Sequence, residues 1–211
     1  QAKLRGLPLE TYLDPEHPVQ QAIRQTMAEM SNLSPEELTI GIDGCSAPVF
    51  ALPLHNFALA VARLCDPAEL TPERQAACRK ITHAMMSFPE MVAGPSRLDT
   101  ILMDALAGKV VAKGGAEGYQ MIGLLPGALQ TGSPGIGIAI KLSDGDLSRR
   151  ATHALVTAIL SAFGFQQELS AETLHEVTDP TLRNWRGLVV GERRLSAEAK
   201  QALINLKGKS S

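Results

Sequence analysis

Two short blocks of this sequence place chemically capable residues close together. In Asp43-Gly44-Cys45 a carboxylate and a thiol stand two residues apart, and at the end of a strand such a pair points the same way. Carboxylate oxygen and thiolate sulfur both ligate Zn²⁺. Two ligands do not make a metal site, however, and no other Cys or His stands at recognisable ligand spacing to this pair. On spacing alone, Asp43 as a turn cap and Cys45 as a small buried filler are favoured. Cys45 as a nucleophile would need a base, and His17, His55, His83, His153 and His175 form no motif that nominates one.

The second block is Lys113-Gly114-Gly115-Ala116-Glu117-Gly118. A lysine that closes a strand can act as a base or a hydrogen-bond donor, and the glycines after it would let backbone N–H groups approach a substrate carboxylate or oxyanion. It is not a phosphate-binding loop, which places its lysine after the glycines with Ser or Thr next. Taken alone, the block is better read as a glycine-rich turn with an exposed lysine. Two further segments are weaker. Arg97 of Gly94-Pro95-Ser96-Arg97-Leu98-Asp99 could bind a carboxylate, or pair with Asp99 or Glu90. In the segment from Lys141 to Arg150, Asp144-Gly145 reads as a turn and Asp146 as the cap of the helix that follows.

Helices and strands must hold these blocks. Gln1 to Leu7 reads as a helix end closed by Gly6, and Pro8 to Pro18 as a turn-rich connection. Apolar residues at helical spacing predict a helix over Val19 to Met30. Ser34-Pro35-Glu36-Glu37 starts a short turn, and Thr39 to Ile42 a brief strand. Further helices are expected over Leu54 to Leu64, from Pro72 to about Ser87, and over Leu98 to Leu106, with a loop from Met91 to Ser96. Strands follow at Val110 to Lys113, Tyr119 to Leu125 and Gly135 to Leu142. A helix from Leu147 to Phe163 should bury Ala151, Leu155, Ile159 and Ala162. Helix signals recur at Ser170-Ala171-Glu172 and Ser196-Ala197-Glu198, around a short strand at Leu188-Val189-Val190. Helices, then strands in hairpin-like succession, then helices predict an α+β fold with an antiparallel sheet. It is read as a single domain over 1–211, helical to about residue 108, with the sheet and C-terminal helices from about 109.

Composition narrows the function. Hydrophobic content of 45% and charged content of 20% are those of a globular chain. With 20 Lys+Arg against 22 Asp+Glu, the net charge of −2 leaves no basic footprint for nucleic acid or an anionic membrane. No apolar run approaches the roughly 18 residues of a membrane span, and no signal peptide is recognisable. Three cysteines at unrelated spacings, Cys45, Cys65 and Cys78, suit reduced thiols in the cytoplasm.

Taken in order, the blocks resemble one family. Gly41-Ile-Asp-Gly-Cys45-Ser-Ala-Pro48, the segment from Ala84-Met85 through Pro89-Glu90 to Arg97-Leu98-Asp99-Thr100, Lys113-x-Gly115-Ala116-Glu117-Gly118 and Gly137-Ile-Ala-Ile-Lys141-x-x-Asp144-Gly145 are similar to the rhizobial-type, class 3 L-asparaginases, over about Leu4 to Gly191. The resemblance implies hydrolysis of the side-chain amide of L-asparagine by serine–lysine acyl transfer. It implies a fold like that of serine β-lactamases and glutaminases, with an antiparallel sheet flanked by helices. It makes Lys113 a lysine that lines the active site and Asp43 and Cys45 ligands of a zinc ion; Gly115, Glu117 and Arg97 are the candidates for binding the substrate. The family's Cys-Ser-Gly-Lys-His block, which completes the zinc site, is absent, and no serine here has a lysine three residues later. Together with a first residue Gln1 and a first Met at Met27, this gives the expectation of a C-terminal portion. The nucleophile and the remaining zinc ligands would then lie upstream, and the chain would associate as a homo-oligomer or with that missing segment. The alternatives are an inactive remnant that only binds a ligand, or an amidohydrolase acting on another amide.

Overall fold

The computed structural model describes residues 1–147, 150–169 and 180–207. Its first element is a single 3-10 turn, Lys3–Arg5, closed by Gly6 in the left-handed region at φ 64°; the helix end read there amounts to that one turn. Helix α1 (Pro18–Ser31) starts on buried His17. The imidazole Nδ1 accepts from Val19 N at 3.1 Å, and Nε2 donates to the Pro8 carbonyl at 3.0 Å. His17 is therefore a cap, with both ring nitrogens occupied. Ser34 and Glu37 form a reciprocal capping box around the 3-10 turn Pro35–Glu37.

Strand β1 (Thr39–Ile42) then pairs antiparallel with β2 (Pro48–Ala51), Thr39 facing Ala51 and Ile42 facing Pro48. The sequence reading contains no β2. Its leading Pro48 resembles a breaker, yet the first residue of a strand tolerates a missing N–H. Helices α2 (Leu54–Cys65), α3 (Pro72–Ser87), α4 (Pro89–Ala93) and α5 (Leu98–Ala105) follow. Part of the loop expected over Met91 to Ser96 is thus α4, because Pro89 takes the first helical position, where no N–H is needed.

The central sheet is β3 (Val110–Gly114), β4 (Tyr119–Leu124) and β5 (Ile136–Lys141), antiparallel in that order. Helix α6 (Arg150–Ala162), the hairpin β6 (Thr181–Arg183) and β7 (Val189–Glu192), and α7 (Ala197–Lys207) complete the described chain. The fold is α+β with antiparallel sheets, as expected. The helix signal at residues 170–172 lies outside the described residues. Asp146 does cap α6, its Oδ2 accepting from Thr152 N at 2.8 Å and Oγ1 at 3.0 Å. The row that α6 buries fully is Thr152, Val156 and Leu160, while Ala151 is exposed. The expected row of Ala151, Leu155, Ile159 and Ala162 is displaced by one residue, since the apolar residues of this helix form two adjacent stripes. No helix among the described residues is long and apolar enough to cross a membrane.

The two faces of the central sheet are unlike. One carries Val110, Ala112, Ile122, Leu124, Ile136, Ile138 and Ile140, packed with Leu102, Met103 and Leu106 of α5 and Val156 and Leu160 of α6. The other presents Val111, Lys113, Tyr119, Met121, Ala139 and two glycines, Gly123 and Gly137, which face each other in register. Helix α2 lies on this face. A Cβ on Gly137 would overlap the Ala58 carbonyl oxygen and lie 2.5 Å from the Ala62 amide nitrogen, and one on Gly123 would overlap the Cys65 sulfur. Asp66, at the end of α2, latches the contact by accepting from Gly135 N at 3.0 Å.

Because the obstacle to a side chain at residue 137 is the main chain of α2, rotamer changes cannot relieve it. Gly137→Ala is expected to cost about 3 kcal/mol, the upper end for overpacking, and to lower Tm by roughly 6–12 °C for a chain of this size. An unchanged Tm in differential scanning calorimetry would contradict this packing.

The thiols supply a pH prediction. Cys45 is exposed, while Cys65 and Cys78 are buried. Burial pushes Cys65 up from 9.0 to about 12, with Cys78 and Asp66 nearby adding to the shift. Burial also raises Cys78, against the opposing influence of Arg74 and Arg79. A folded value above the unfolded one leaves stability intact below pH 9 and erodes it between about 9 and 12. The urea midpoint should fall on going from pH 8.5 to 10.5, and fall less in Cys65→Ala. At pH 8, a thiol reagent should modify Cys45 alone until the chain is unfolded.

Candidate functional site

Lys113 is the only exposed residue of β3, an edge strand of the three-stranded sheet. Its Nζ donates to the carbonyl of Gly114 at 2.7 Å. The N–H of the same Gly114 donates to Asp99 Oδ2 at 2.7 Å, and Asp99 Oδ1 accepts from Gln120 Nε2 at 2.8 Å. Asp99 is 2% exposed and Gln120 1%. Among the described residues no ion pair includes Asp99. The buried carboxylate is satisfied by one backbone and one side-chain amide donor instead, as buried charge requires.

The turn after Lys113 is held from the opposite side by β5. Lys141 Nζ donates to the carbonyl of Glu117 at 2.6 Å, and Leu142 N donates to that of Gly118 at 3.1 Å. Glu117 and Gly118 both lie in the left-handed region, at φ 54° and 69°. For a glutamate this is a strained conformation, of the kind that collects at binding sites. Gly115 has a packing reason: a Cβ there would meet the Tyr119 ring at 2.7 Å. That ring meets Phe57 of α2 edge-on, with centroids 5.1 Å apart. Burial raises the Tyr119 phenol, whose hydroxyl has no hydrogen-bond partner among the described residues.

The backbone donors of the turn divide into used and unused. Gly114 N–H is held by Asp99, and Gly115 N–H donates to the Tyr119 carbonyl at 2.9 Å. The expected approach of glycine N–H groups to a substrate is therefore not available at these two positions. Ala116 and Glu117 are exposed, and their N–H groups make no hydrogen bond among the described residues.

Arg97 stands at the N-terminal boundary of α5 and is exposed. Pairing with Asp99 or Glu90 does not occur: Asp99 is turned into the core, and Arg97 makes no ion pair among the described residues. The next three residues are anchored. Leu98 sits in the core, Asp99 holds Gly114, and the Thr100 hydroxyl donates to the Gly94 carbonyl at 2.7 Å. Arg97 is thus the solvent-facing member of a fixed quartet, tied by Asp99 to the strand that carries Lys113.

Asp43 and Cys45 lie elsewhere, at the exposed tip of the β1–β2 hairpin. Asp43 Oδ1 accepts from Cys45 N at 2.8 Å and Ala47 N at 3.1 Å, an Asx turn that supports the sharp bend at Ser46 (φ 64°). The turn-cap role accounts for Asp43, but Cys45 is exposed and not the buried filler expected, because the hairpin tip it sits on has nothing packed over it. Asp43 Oδ2 and the Cys45 thiol remain as possible donors. A tetrahedral zinc site needs four, and among the described residues no three His, Cys, Asp or Glu side chains come together to hold a metal. The donors present do not make a zinc site by themselves. No hydrogen bond or ion pair among the described residues joins this tip to the Lys113 turn.

A cavity of about 400 Å³ opens between α1, α2 and α3 on the Lys113 face of the sheet. Met121, which faces Lys113 in register, forms part of its wall with Met27, Phe57, Val61 and Ile81. Its one charged side chain, Arg74, is already paired with Glu29 at 2.6 Å. A wall so apolar offers little to a small zwitterionic amide, whereas the exposed turn offers an amine and free N–H groups.

The residue that sequence reasoning missed is Asp99, seen there only as a surface partner for Arg97. Its signal was present: Asp99 stands on the stripe of Leu102, Met103 and Leu106, where a charge on an apolar helix face asks for a buried partner.

Two comparisons bear on this arrangement. No curated protein matches the chain. The model of the L-asparaginase II family matches residues 1–195, a span that takes in the hairpin, all of α2 to α6 and the whole Lys113 turn. The chain belongs to the L-asparaginase II family, and its function is of the asparaginase, amidohydrolase type.

Proposed function

We propose that this protein hydrolyses the side-chain amide of L-asparagine to L-aspartate and ammonia, with Lys113 as the catalytic lysine. The observation that carries the proposal is the build of the Lys113 turn. An exposed amine is held at a defined point, beside two exposed N–H groups that make no hydrogen bond among the described residues. The chemistry is acyl transfer. A serine Oγ supplied from outside the described residues attacks the amide carbon, its proton passes to a lysine amine, ammonia leaves with a proton, and water then hydrolyses the ester. The Ala116 N–H, three residues after Lys113, is suited to the oxyanion that develops on the carbonyl. Arg97 supplies a fork for the substrate's α-carboxylate. Glu117 supplies an anion for its α-ammonium, and Gly115 keeps the Tyr119 ring against the turn.

The serine–lysine chemistry goes with a serine β-lactamase/glutaminase-like classification, which a three-stranded antiparallel sheet between α2 on one face and α5 and α6 on the other supports. Zinc belongs to the same reading, with Asp43 and Cys45 as two of its ligands and further donors from outside the described residues. No chemical step runs through it. The three free thiols support a reducing, cytoplasmic location. Exposed Phe88 and Met91 support a homo-oligomer.

Ammonia release from L-asparagine, coupled to glutamate dehydrogenase, tests the reaction. Lys113→Ala should lower kcat by about 10²–10⁴-fold, the usual contribution of a proton-transfer group. Full turnover in that variant would remove Lys113 from the mechanism. Binding of asparagine without ammonia release by the unaltered protein would favour the ligand-binding remnant. For the metal, zinc content measured by mass spectrometry should fall in Cys45→Ala, and an unchanged zinc-to-protein ratio would exclude the ligand role.

A further inference from the structure

The geometry points to Asp99 as a positioning residue that sets the place of the Lys113 amine by fixing the Gly114 peptide between them. The inference rests on the reading of Lys113 as the catalytic lysine.

Gly114 is held at both ends. Its N–H donates to the Asp99 carboxylate at 2.7 Å, and its carbonyl accepts from Lys113 Nζ, also at 2.7 Å. The two bonds engage the successive peptide groups on either side of the Gly114 Cα, so together they fix the torsions of that residue. The arrangement matters because the residues after Lys113 are Gly114-Gly115, the dipeptide with the widest backbone freedom. Left untied, this pair would allow the carbonyl that receives the amine to swing, and the amine would follow it.

Asp99 is well placed to prevent that swing. Leu98 on one side is in the core, and the Thr100 hydroxyl on the other is bonded to the Gly94 and Pro89 carbonyls. Both carboxylate oxygens are engaged. Asp99 is 2% exposed, no described ion pair includes it, and its two partners are a backbone amide and the neutral Gln120. An asparagine has one acceptor oxygen and would turn its NH2 group toward one of these two donors. What the carboxylate adds is a stronger, shorter tie at Gly114.

The test uses the full 211-residue chain with Asp99→Asn, which keeps the shape but turns one acceptor oxygen into a donor, and Val156→Ala, which removes core volume on α6 without touching Asp99 or the Lys113 turn. Three readouts are taken: kcat and KM for L-asparagine, the rate of Lys113 acetylation by mass spectrometry relative to exposed Lys80, and Tm. Asp99→Asn should lower kcat about 10- to 100-fold, the scale of a misplaced catalytic group, with KM changed less than about twofold. Lys113 acetylation should rise severalfold relative to Lys80. Val156→Ala should lower Tm and leave both the labelling ratio and kcat unchanged. Equal effects of the two variants, or an unaltered labelling ratio in Asp99→Asn, would overturn the proposal by making Asp99 a merely structural residue. The unaltered chain gives an independent check by hydrogen exchange: the Gly114 amide should exchange far more slowly than those of Ala116 and Glu117. A fast Gly114 amide overturns the proposal without any variant. Retained activity in Lys113→Ala defeats the catalytic reading alone, since labelling and exchange report on the tie whether or not asparagine is turned over.

Discussion

The close approach of α2 to the central sheet governs the rest of the molecule. Gly123 and Gly137 face each other across β4 and β5. With no Cβ on either, the helix descends until its own backbone fills the space that side chains would take. The helix answers with small residues, Ala58 and Ala62, over Gly137. That contact sets the level of α2, and with it Phe57 against Tyr119, and so the ring against which the Lys113 turn lies. The opposite face needs no such economy. Its branched residues pack against α5 and α6 as an ordinary apolar core.

Charged residues finish what the packing begins. The turn from Gly114 to Gly118 takes its shape from two long-range bonds of opposite sign, Asp99 to the Gly114 N–H and Lys141 to the Glu117 carbonyl. Hydrogen bonds to charged groups contribute about 1.5–3 kcal/mol each, enough to hold a strained glutamate and three glycines in one conformation. A site supported by a helix on one side and a strand on the other is held more firmly than a free loop.

Much of the fold was legible because local chemistry and tertiary structure agree. Pro72 after a threonine cap gives the start of α3, and alternation with turn residues gives β1 and the three central strands. The misses have local causes too. Pro48 and Pro89 look like terminators but open a strand and a helix. The stripe of α6 was misplaced because neighbouring residues are nearly as apolar. At the site, Lys113 and its glycines stood out by type and order. Asp99 did not, because the partner that explains it is Gly114, fifteen residues away, and the bond engages a backbone atom that no side-chain pattern announces. Gly137 was hidden for the same reason, inside an otherwise β-like Ile-Gly-Ile-Ala-Ile run whose glycine answers to another element.

The two bonds on the Lys113 turn also differ in what reaches them. Lys141 is exposed, so dissolved ions screen its pull on Glu117, while the Asp99 tie lies in the interior, where salt has little effect. The turn therefore has a soft end and a hard end. As ionic strength rises, its Glu117 side yields first, with the lysine side still fixed. The loop thereby has a direction of opening that neither bond has alone.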